Sequence, residues 1–120
     1  MMVSASTAQP TAEVTPRTCD AELTRAFGFL GKRWTGVLMG TLIQGAAGYA
    51  ELKRALGISD ATLTDRLAEL TEAGLVARTV DPGPPVTVSY GLTEDGFALS
   101  PALEALVTWA RHHLKSEDGK

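Results

Sequence analysis

The segment YAELKRALGISDATLTDRLAELTEAGLVARTVDPGPPVTVSYGL, residues 49–92, decides the fold of this chain. Its first half predicts two helices, over 49–56 and 60–73, joined by the three residues Gly57-Ile58-Ser59. Ser59 is expected to cap the second helix, because its hydroxyl can accept a hydrogen bond from a free N–H of the first turn. The apolar residues of that helix recur at three- and four-residue spacing and predict one buried stripe: Leu63, Leu67 and Leu70.

After Gly74, which suits the left-handed end of a helix, the period of the pattern falls to two. Residues 75–80 and 86–92 are rich in β-branched side chains. The second run alternates apolar with small or polar residues: Val86, Val88, Tyr90 and Leu92 against Thr87, Ser89 and Gly91. Residues 81–85 (DPGPP) must form a loop, because prolines cannot donate to a sheet ladder. The sequence therefore predicts a β-hairpin with a stiff tip.

Helices are also predicted on both sides of this segment. A first helix, capped by Asp20 and ending at Gly31, has one apolar face: Leu23, Ala26, Phe27 and Leu30. A second helix, ending at Gly45, is expected to bury one stripe: Trp34, Val37, Leu38, Thr41 and Leu42. Thr93 is expected to cap the last helical stretch, in which Pro101 predicts a kink or a break near residues 99–100. The apolar positions of that stretch are Leu99, Leu103, Leu106, Val107, Ala110 and Leu114.

The composition limits the location and the partners of the chain. It has 120 residues, a net charge of −3 and one cysteine, which excludes a uniformly basic coat and an internal disulfide. Residues 1–18, rich in Ser, Thr, Ala and Pro, are expected to be a disordered tail, 19–115 a single domain and 116–120 a flexible C-terminus. No apolar run approaches the ~20 residues needed to cross a bilayer. Since residues 1–18 also lack the features of a secretion signal, we expect a soluble cytoplasmic protein without a membrane partner.

Two helices joined by a Gly-containing turn and followed by a hairpin are the order of a winged helix-turn-helix. We therefore expect a mainly α fold with a small β-hairpin wing (α+β). In such a module the second helix enters the major groove, while the hairpin reaches the flanking DNA. A winged helix that binds a protein instead of DNA remains an alternative, because the net charge is acidic.

No catalytic or metal site is expected. The chain has no Gly-rich phosphate loop, no HExxH and no GxSxG, so an enzyme is disfavoured. His112 and His113 are adjacent, and on a helix they point about 100° apart, which does not suit the chelation of one metal ion. The sequence thus predicts no cofactor.

Spaced motifs over residues 19–109 resemble the HxlR family of bacterial transcriptional regulators. The motifs that carry the resemblance are Cys19-Asp-Ala-Glu22, Leu30-Gly31-Lys32-Arg33-Trp34, Tyr49-Ala-Glu51-Leu52-Lys53, Gly57-Ile58-Ser59, Leu63-Thr64, Leu67-Ala-Glu69-Leu70, Gly74-Leu75-Val76-Ala-Arg78 and Tyr90-Gly-Leu92-Thr93-Glu94-Asp-Gly96. The resemblance implies a MarR-like winged-helix homodimer that binds operator DNA and pairs through its first and last helices. The chain differs from the family pattern at three positions where the family often has a basic residue: Ala61, Ala68 and Thr87.

The charge pattern and a helical wheel select the candidate DNA contacts. Residues 25–78 have a net charge of +2, while the two flanking segments are negative. Residues near the start of the second helix of the pair can reach base edges, and the candidates are Ser59, Ala61, Thr62, Asp65 and Arg66. Basic residues around that helix are the candidates for phosphate contacts: Lys53, Arg54 and Arg78.

Cys19 has two interpretations. A free cysteine is usually a small buried hydrophobe. A thiol near a helix N-terminus can also gain thiolate character and act as a redox sensor, although Asp20 and Glu22 oppose this. The resemblance implies the sensor, because some members of the family sense thiol-reactive compounds through an N-terminal cysteine. Under the second interpretation, a small-molecule or oxidant effector is a candidate partner.

A second copy of the chain is also an expected partner. The core of a 120-residue chain can absorb only part of the apolar surface of the first and last helices, and monomers seldom leave such a patch exposed. The candidates for the dimer interface are Leu23, Phe27, Leu30, Leu103, Leu106, Val107 and Ala110. A two-fold dimer would place two reading helices on half-sites ~34 Å apart, which predicts a palindromic operator.

Overall fold

The computed structural model describes residues 17, 18 and 20–115. Six helices and one hairpin follow one another in the order α1 (Ala21–Leu30), α2 (Thr35–Ile43), α3 (Tyr49–Leu56), α4 (Asp60–Glu72), β1 (Val76–Asp81), β2 (Thr87–Leu92), α5 (Glu94–Phe97) and α6 (Ser100–His113). Three parts of the chain lie outside the described residues: residues 1–16 of the expected tail, Cys19, and the expected flexible C-terminus over 116–120. The architecture confirms the predicted mainly α fold with a hairpin wing.

The core lies where α2, α3 and α4 meet the base of the hairpin. Its buried hydrophobic residues are Leu38, Met39, Leu42, Ala47, Leu52, Ile58, Leu63, Leu67, Leu70 and Val76. The predicted stripe of α4 is confirmed, since Leu63, Leu67 and Leu70 are all buried. Burial of one such leucine is worth roughly 1.5–3 kcal/mol, so this stripe is what fixes the helix on the core.

The predicted stripe of α2 was wrong at Val37, whereas Trp34 packs against the core as predicted. Val37 is 56% exposed, and the helix buries Thr35 and Met39 together with Leu38 and Leu42. Trp34 is not part of the helix but precedes it, with a left-handed φ of 82°. The buried positions are shifted by one residue from the predicted stripe, so that Met39 lies in the core and Val37 does not.

The hairpin is anchored to the helices by a third piece of backbone. The register of the two strands runs from Val76 opposite Leu92 to Asp81 opposite Thr87. Ala47, in the loop before α3, forms an isolated antiparallel bridge with Tyr90 through two hydrogen bonds of 2.9 and 2.8 Å. This bridge fixes the base of the wing relative to α3.

The break expected at Pro101 is present, because the last helical stretch divides into α5 and α6. The Thr93 hydroxyl accepts a hydrogen bond from the Gly96 N–H at 3.1 Å and caps α5 as predicted. Leu99 and Leu103 then pack against the core. Between residues 20 and 115, no helix is both long enough and apolar enough to cross a membrane.

Candidate nucleic-acid interface

The turn between α3 and α4 is built by three residues with different roles. Gly57 takes the left-handed φ of 64° that ends α3, and its N–H donates to the Lys53 carbonyl at 2.9 Å. Ile58 is buried and holds the turn on the core. Ser59 caps α4 as predicted: its Oγ accepts from the Thr62 N–H at 3.2 Å. The two helices therefore meet at an angle set by the core and by the cap.

The outward face of α4 is exposed along the length of the helix. Ala61, Asp65, Ala68 and Glu72 are exposed opposite the buried leucine stripe, and Thr64 is exposed on its flank, where it contacts Tyr49. Three of the five candidates for base contacts, Ser59, Ala61 and Asp65, are exposed at the start of this helix, and a fourth, Thr62, is half-buried on its flank. A helix with one side exposed along this length has the shape that the major groove admits.

The Ser59 and Thr62 hydroxyls are already bonded to each other. Besides accepting the cap hydrogen bond, Ser59 donates its proton to Thr62 Oγ1 at 3.0 Å. One free lone pair on Thr62 therefore remains for an external donor.

Arg66, the fifth candidate, does not point freely outward. Its side chain is only 15% exposed, and its Nε lies 3.4 Å from Glu69 Oε1 without a hydrogen bond. The other Glu69 oxygen, Oε2, accepts a hydrogen bond from Lys32 Nζ at 2.6 Å. This bond, together with the charges of Arg66 and Lys32, holds the pKa of the Glu69 carboxyl below its ordinary value.

A second polar cluster joins the start of α3 to the start of α4. The Tyr49 hydroxyl donates to Asp60 Oδ1 at 2.9 Å and lies 3.2 Å from Thr64 Oγ1. Lys53 Nζ lies 3.4 Å from Asp60 Oδ2. The hydrogen bond from Tyr49 and the charge of Lys53 lower the pKa of the Asp60 carboxyl. Asp60 is thus kept ionised and paired at the start of the exposed helix.

The three candidates for phosphate contacts lie on α3 and β1, the elements that precede and follow α4. Lys53 is half-buried and forms an ion pair with Asp60, whereas Arg54 and Arg78 are exposed. Arg78 stands opposite Tyr90 in the hairpin register. A cleft of about 430 Å³ separates α4 from this part of the wing. Its lining residues are Tyr49, Thr64, Leu67, Ala68, Thr71, Glu72, Arg78 and Tyr90.

The candidates for the dimer interface fall into two groups. Leu30 and Leu103 are half-buried against the core of their own chain, and Ala110 is also partly covered. Leu23, Phe27, Leu106 and Val107 are exposed. Exposed Trp109 and Leu114 extend the apolar surface of α6. The described residues of α1 and α6 therefore leave large apolar side chains in contact with solvent.

Sequence reasoning missed Tyr49, Lys32 and Glu69 as residues that organise the site. The i, i+3 spacing of Arg66 and Glu69 was a readable signal for an ion pair. Lys32 and Glu69 are 37 residues apart in the sequence, and no local pattern connects them. Among the described residues, no cluster of His, Cys, Asp and Glu is arranged to hold a metal ion.

The family model described as HxlR-like helix-turn-helix matches residues 29–118, well over half of the chain. A curated relative, the HTH-type transcriptional regulator YodB of Bacillus subtilis (strain 168), is 38% identical over 94 residues, which are 78% of this chain and 84% of YodB. The chain belongs to the HxlR-like helix-turn-helix family. It is a transcriptional regulator of the helix-turn-helix type, and neither the family nor this relative is an enzyme.

Solved structures agree with this assignment. The reduced form of YodB from B. subtilis has a TM-score of 0.72 at 35% identity and covers 86% of this chain and 100% of its own. The redox regulator HypR in its oxidised form has a TM-score of 0.73 at 29% identity, covering 80% and 100%. A MarR-family regulator from Porphyromonas gingivalis W83 has a TM-score of 0.74 at 27% identity, covering 82% and 100%.

Proposed function

We propose that the chain acts as a homodimer that binds a palindromic operator, with α4 in the major groove and the hairpin on the flanking DNA. The observation that carries this proposal is the exposed outward face of α4. Ser59 caps the N-terminus of this helix, which is the end that would approach the bases. Ser59, Ala61, Thr62, Asp65 and Arg66 are the proposed base-facing residues. Asp65 can accept from cytosine N4, and Ala61 can contact a thymine methyl.

Phosphate contacts would set the register of the protein on the duplex without reading the sequence. Arg54 and Arg78 are exposed and can reach the backbone directly, whereas Lys53 would have to exchange Asp60 for a phosphate. In this arrangement the cleft of about 430 Å³ between α4 and the wing would face the sugar-phosphate strand that separates the two grooves. With three such cations in each protomer, log K should fall against log salt with a slope of roughly −5.

Dimerisation would cover the exposed apolar residues of α1 and α6. Leu23, Phe27, Leu106 and Val107 are the proposed centre of the interface, because they are exposed in one chain. Leu30, Leu103 and Ala110 would lie at its edge, since their own chain covers them in part. A two-fold axis between the α1–α6 surfaces would present two copies of α4 to one side of the DNA.

A band shift at several salt concentrations tests DNA binding, with the promoter of an adjacent divergent gene as the probe. We expect a shift whose affinity falls steeply with salt. Arg54→Ala should make the slope shallower by about one for each phosphate that the protein no longer neutralises, and Arg111→Ala on α6 is the matched control. A protein-interaction module, which the exposed acids of α4 would suit, shows no shift at any salt concentration.

We further propose that Cys19 makes the regulator responsive to thiol oxidation in the cytoplasm. Support comes from the names of the solved neighbours, a reduced form of YodB and the redox regulator HypR. Each chain has one cysteine, so oxidation by diamide would join Cys19 to a second thiol, from another copy or from a small molecule. Diamide should change the operator affinity of the wild type and not of Cys19→Ser. Equal affinity of the wild type before and after treatment contradicts the proposal.

A further inference from the structure

The outward surface of α4 is acidic as it stands in the free protein. Asp65 and Glu72 are exposed, Asp60 is exposed but paired with Lys53, and the single cation of the helix, Arg66, is largely covered. A surface with exposed carboxylates and a withdrawn guanidinium repels the phosphate backbone. The position of the Arg66 side chain therefore decides how well this helix can meet DNA.

Arg66 is held along the helix by charge rather than by a well-formed hydrogen bond. Its Nε is buried and lies 3.4 Å from Glu69 Oε1, yet it makes no hydrogen bond to any described residue. A buried donor without a partner is unfavourable. The inward position is thus one that Arg66 can leave when a better acceptor is offered.

Glu69 has a second partner, Lys32, which would remain bound to it if Arg66 moved away. Lys32, in the turn between α1 and α2, binds Glu69 Oε2 at 2.6 Å, on the other oxygen from Arg66. If Arg66 departed, Lys32 would still neutralise the carboxylate. Departure of the guanidinium would therefore not leave an isolated negative charge beside the DNA.

We infer that Glu69 is a specificity-determining residue that competes with DNA for Arg66. In the free protein, Glu69 holds the guanidinium along α4. On the operator, Arg66 exchanges this carboxylate for the N7 and O6 acceptors of a guanine, while Lys32 stays on Glu69. The inference rests on the proposed binding of α4 in the major groove.

The test is a fluorescence titration of an operator selected by the wild-type protein, with Arg66→Ala, Glu69→Gln and the double variant. Glu69→Gln should tighten binding about two- to fivefold, the range expected when a weak ion pair is lost from the free state. The gain should vanish in the Arg66→Ala background. Lys32→Met should weaken binding, and by less when Glu69→Gln is also present. Glu72→Gln is the matched control, because it removes one carboxylate from the same helix without touching Arg66.

A modified probe separates base reading from a structural role. Replacement of single guanines by 7-deazaguanine removes the N7 acceptor. At one position in each half-site, this change should abolish the gain in operator affinity that Glu69→Gln produces. It should leave the operator affinity of Arg66→Ala unchanged. Thermal unfolding checks that each variant is folded. Should Glu69→Gln fail to fold, Glu69→Asp keeps the charge, shortens the reach to Arg66 and should tighten binding in the same way.

Two results would overturn the assignment. Either Glu69→Gln tightens binding no more than Glu72→Gln does, or Glu69→Gln tightens binding by the same factor in the Arg66→Ala background as in the wild type. Failure of the proposed function looks different. In that case the wild-type protein selects no DNA, and no variant restores binding.

Discussion

The Tyr49 hydroxyl lies 2.9 Å from Oδ1 of Asp60 and so joins the first residue of α3 to the first residue of α4. The same hydroxyl is 3.2 Å from Thr64 Oγ1, one turn further along α4. The angle between the two helices of the helix-turn-helix is thus held at the solvent side by Tyr49 and at the core side by Ile58.

Tyr49→Phe should lower the free energy of unfolding by about 0.5–1.5 kcal/mol, the usual contribution of a hydrogen bond. Urea unfolding measures this change. Tyr90→Phe is the control, because the Tyr90 hydroxyl makes no hydrogen bond to a described residue, and its effect should be small. Operator affinity should also fall for Tyr49→Phe, since the start of α4 loses a constraint. Equal effects of the two substitutions would show that the Tyr49 bond does not hold the helices.

Ser59→Ala should destabilise the protein by about 1 kcal/mol, because the Thr62 N–H loses its cap. Ser59→Asp restores a capping oxygen and should recover most of the stability. It should nevertheless weaken DNA binding, because it adds a negative charge at the end of α4 that approaches the bases. Thermal unfolding and an operator titration report the two effects separately. Full affinity of Ser59→Asp would place this end of α4 away from the DNA.

Leu106→Glu should convert the dimer to a monomer at micromolar concentration, because it buries a charge at the centre of the proposed α1–α6 interface. Sedimentation measures the mass. Val80→Glu is the matched control: Val80 is exposed to a similar extent on β1, outside this interface. A wild-type monomer, or a Leu106→Glu dimer, would contradict the proposed assembly.

The lowered pKa of Glu69 predicts a pH dependence of stability. Its carboxylate is favoured in the folded state, so its contribution is present above its ordinary pKa of 4.5 and is lost as the pH falls through the lower folded value. The difference in unfolding free energy between the wild type and Glu69→Gln should therefore shrink as the pH falls below 4.5. Lys32→Met should remove most of this pH dependence, because Lys32 donates the hydrogen bond that is its main cause. A difference that stays constant down to pH 3 would contradict this origin.

Local chemistry allowed much of the fold to be predicted from the sequence. The Ser59 cap, the leucine stripe of α4 and the break at Pro101 each depend on residues within one or two turns, so their patterns are readable. The buried face of α2 was predicted one residue out of phase, because the helix is apolar on most sides and packing against the core decides which side is buried.

The electrostatics of the candidate site could be predicted only in part. A helical wheel places Arg66 on the flank of α4, but the wheel does not show that Glu69 and burial draw its side chain inward. The contacts of Lys32 with Glu69 and of Ala47 with Tyr90 join segments 37 and 43 residues apart. Such contacts follow from the packing of the whole domain and leave no periodic signal in the chain.

Selection of bound DNA from a random pool tests most directly whether α4 reads a sequence. We expect enrichment of an inverted repeat whose half-sites are centred about one helical turn apart, and loss of this preference when Asp65 and Arg66 are both replaced by Ala. Recovery of a pool without a shared motif, or of the same motif by the doubly substituted protein, would contradict the reading of DNA by α4.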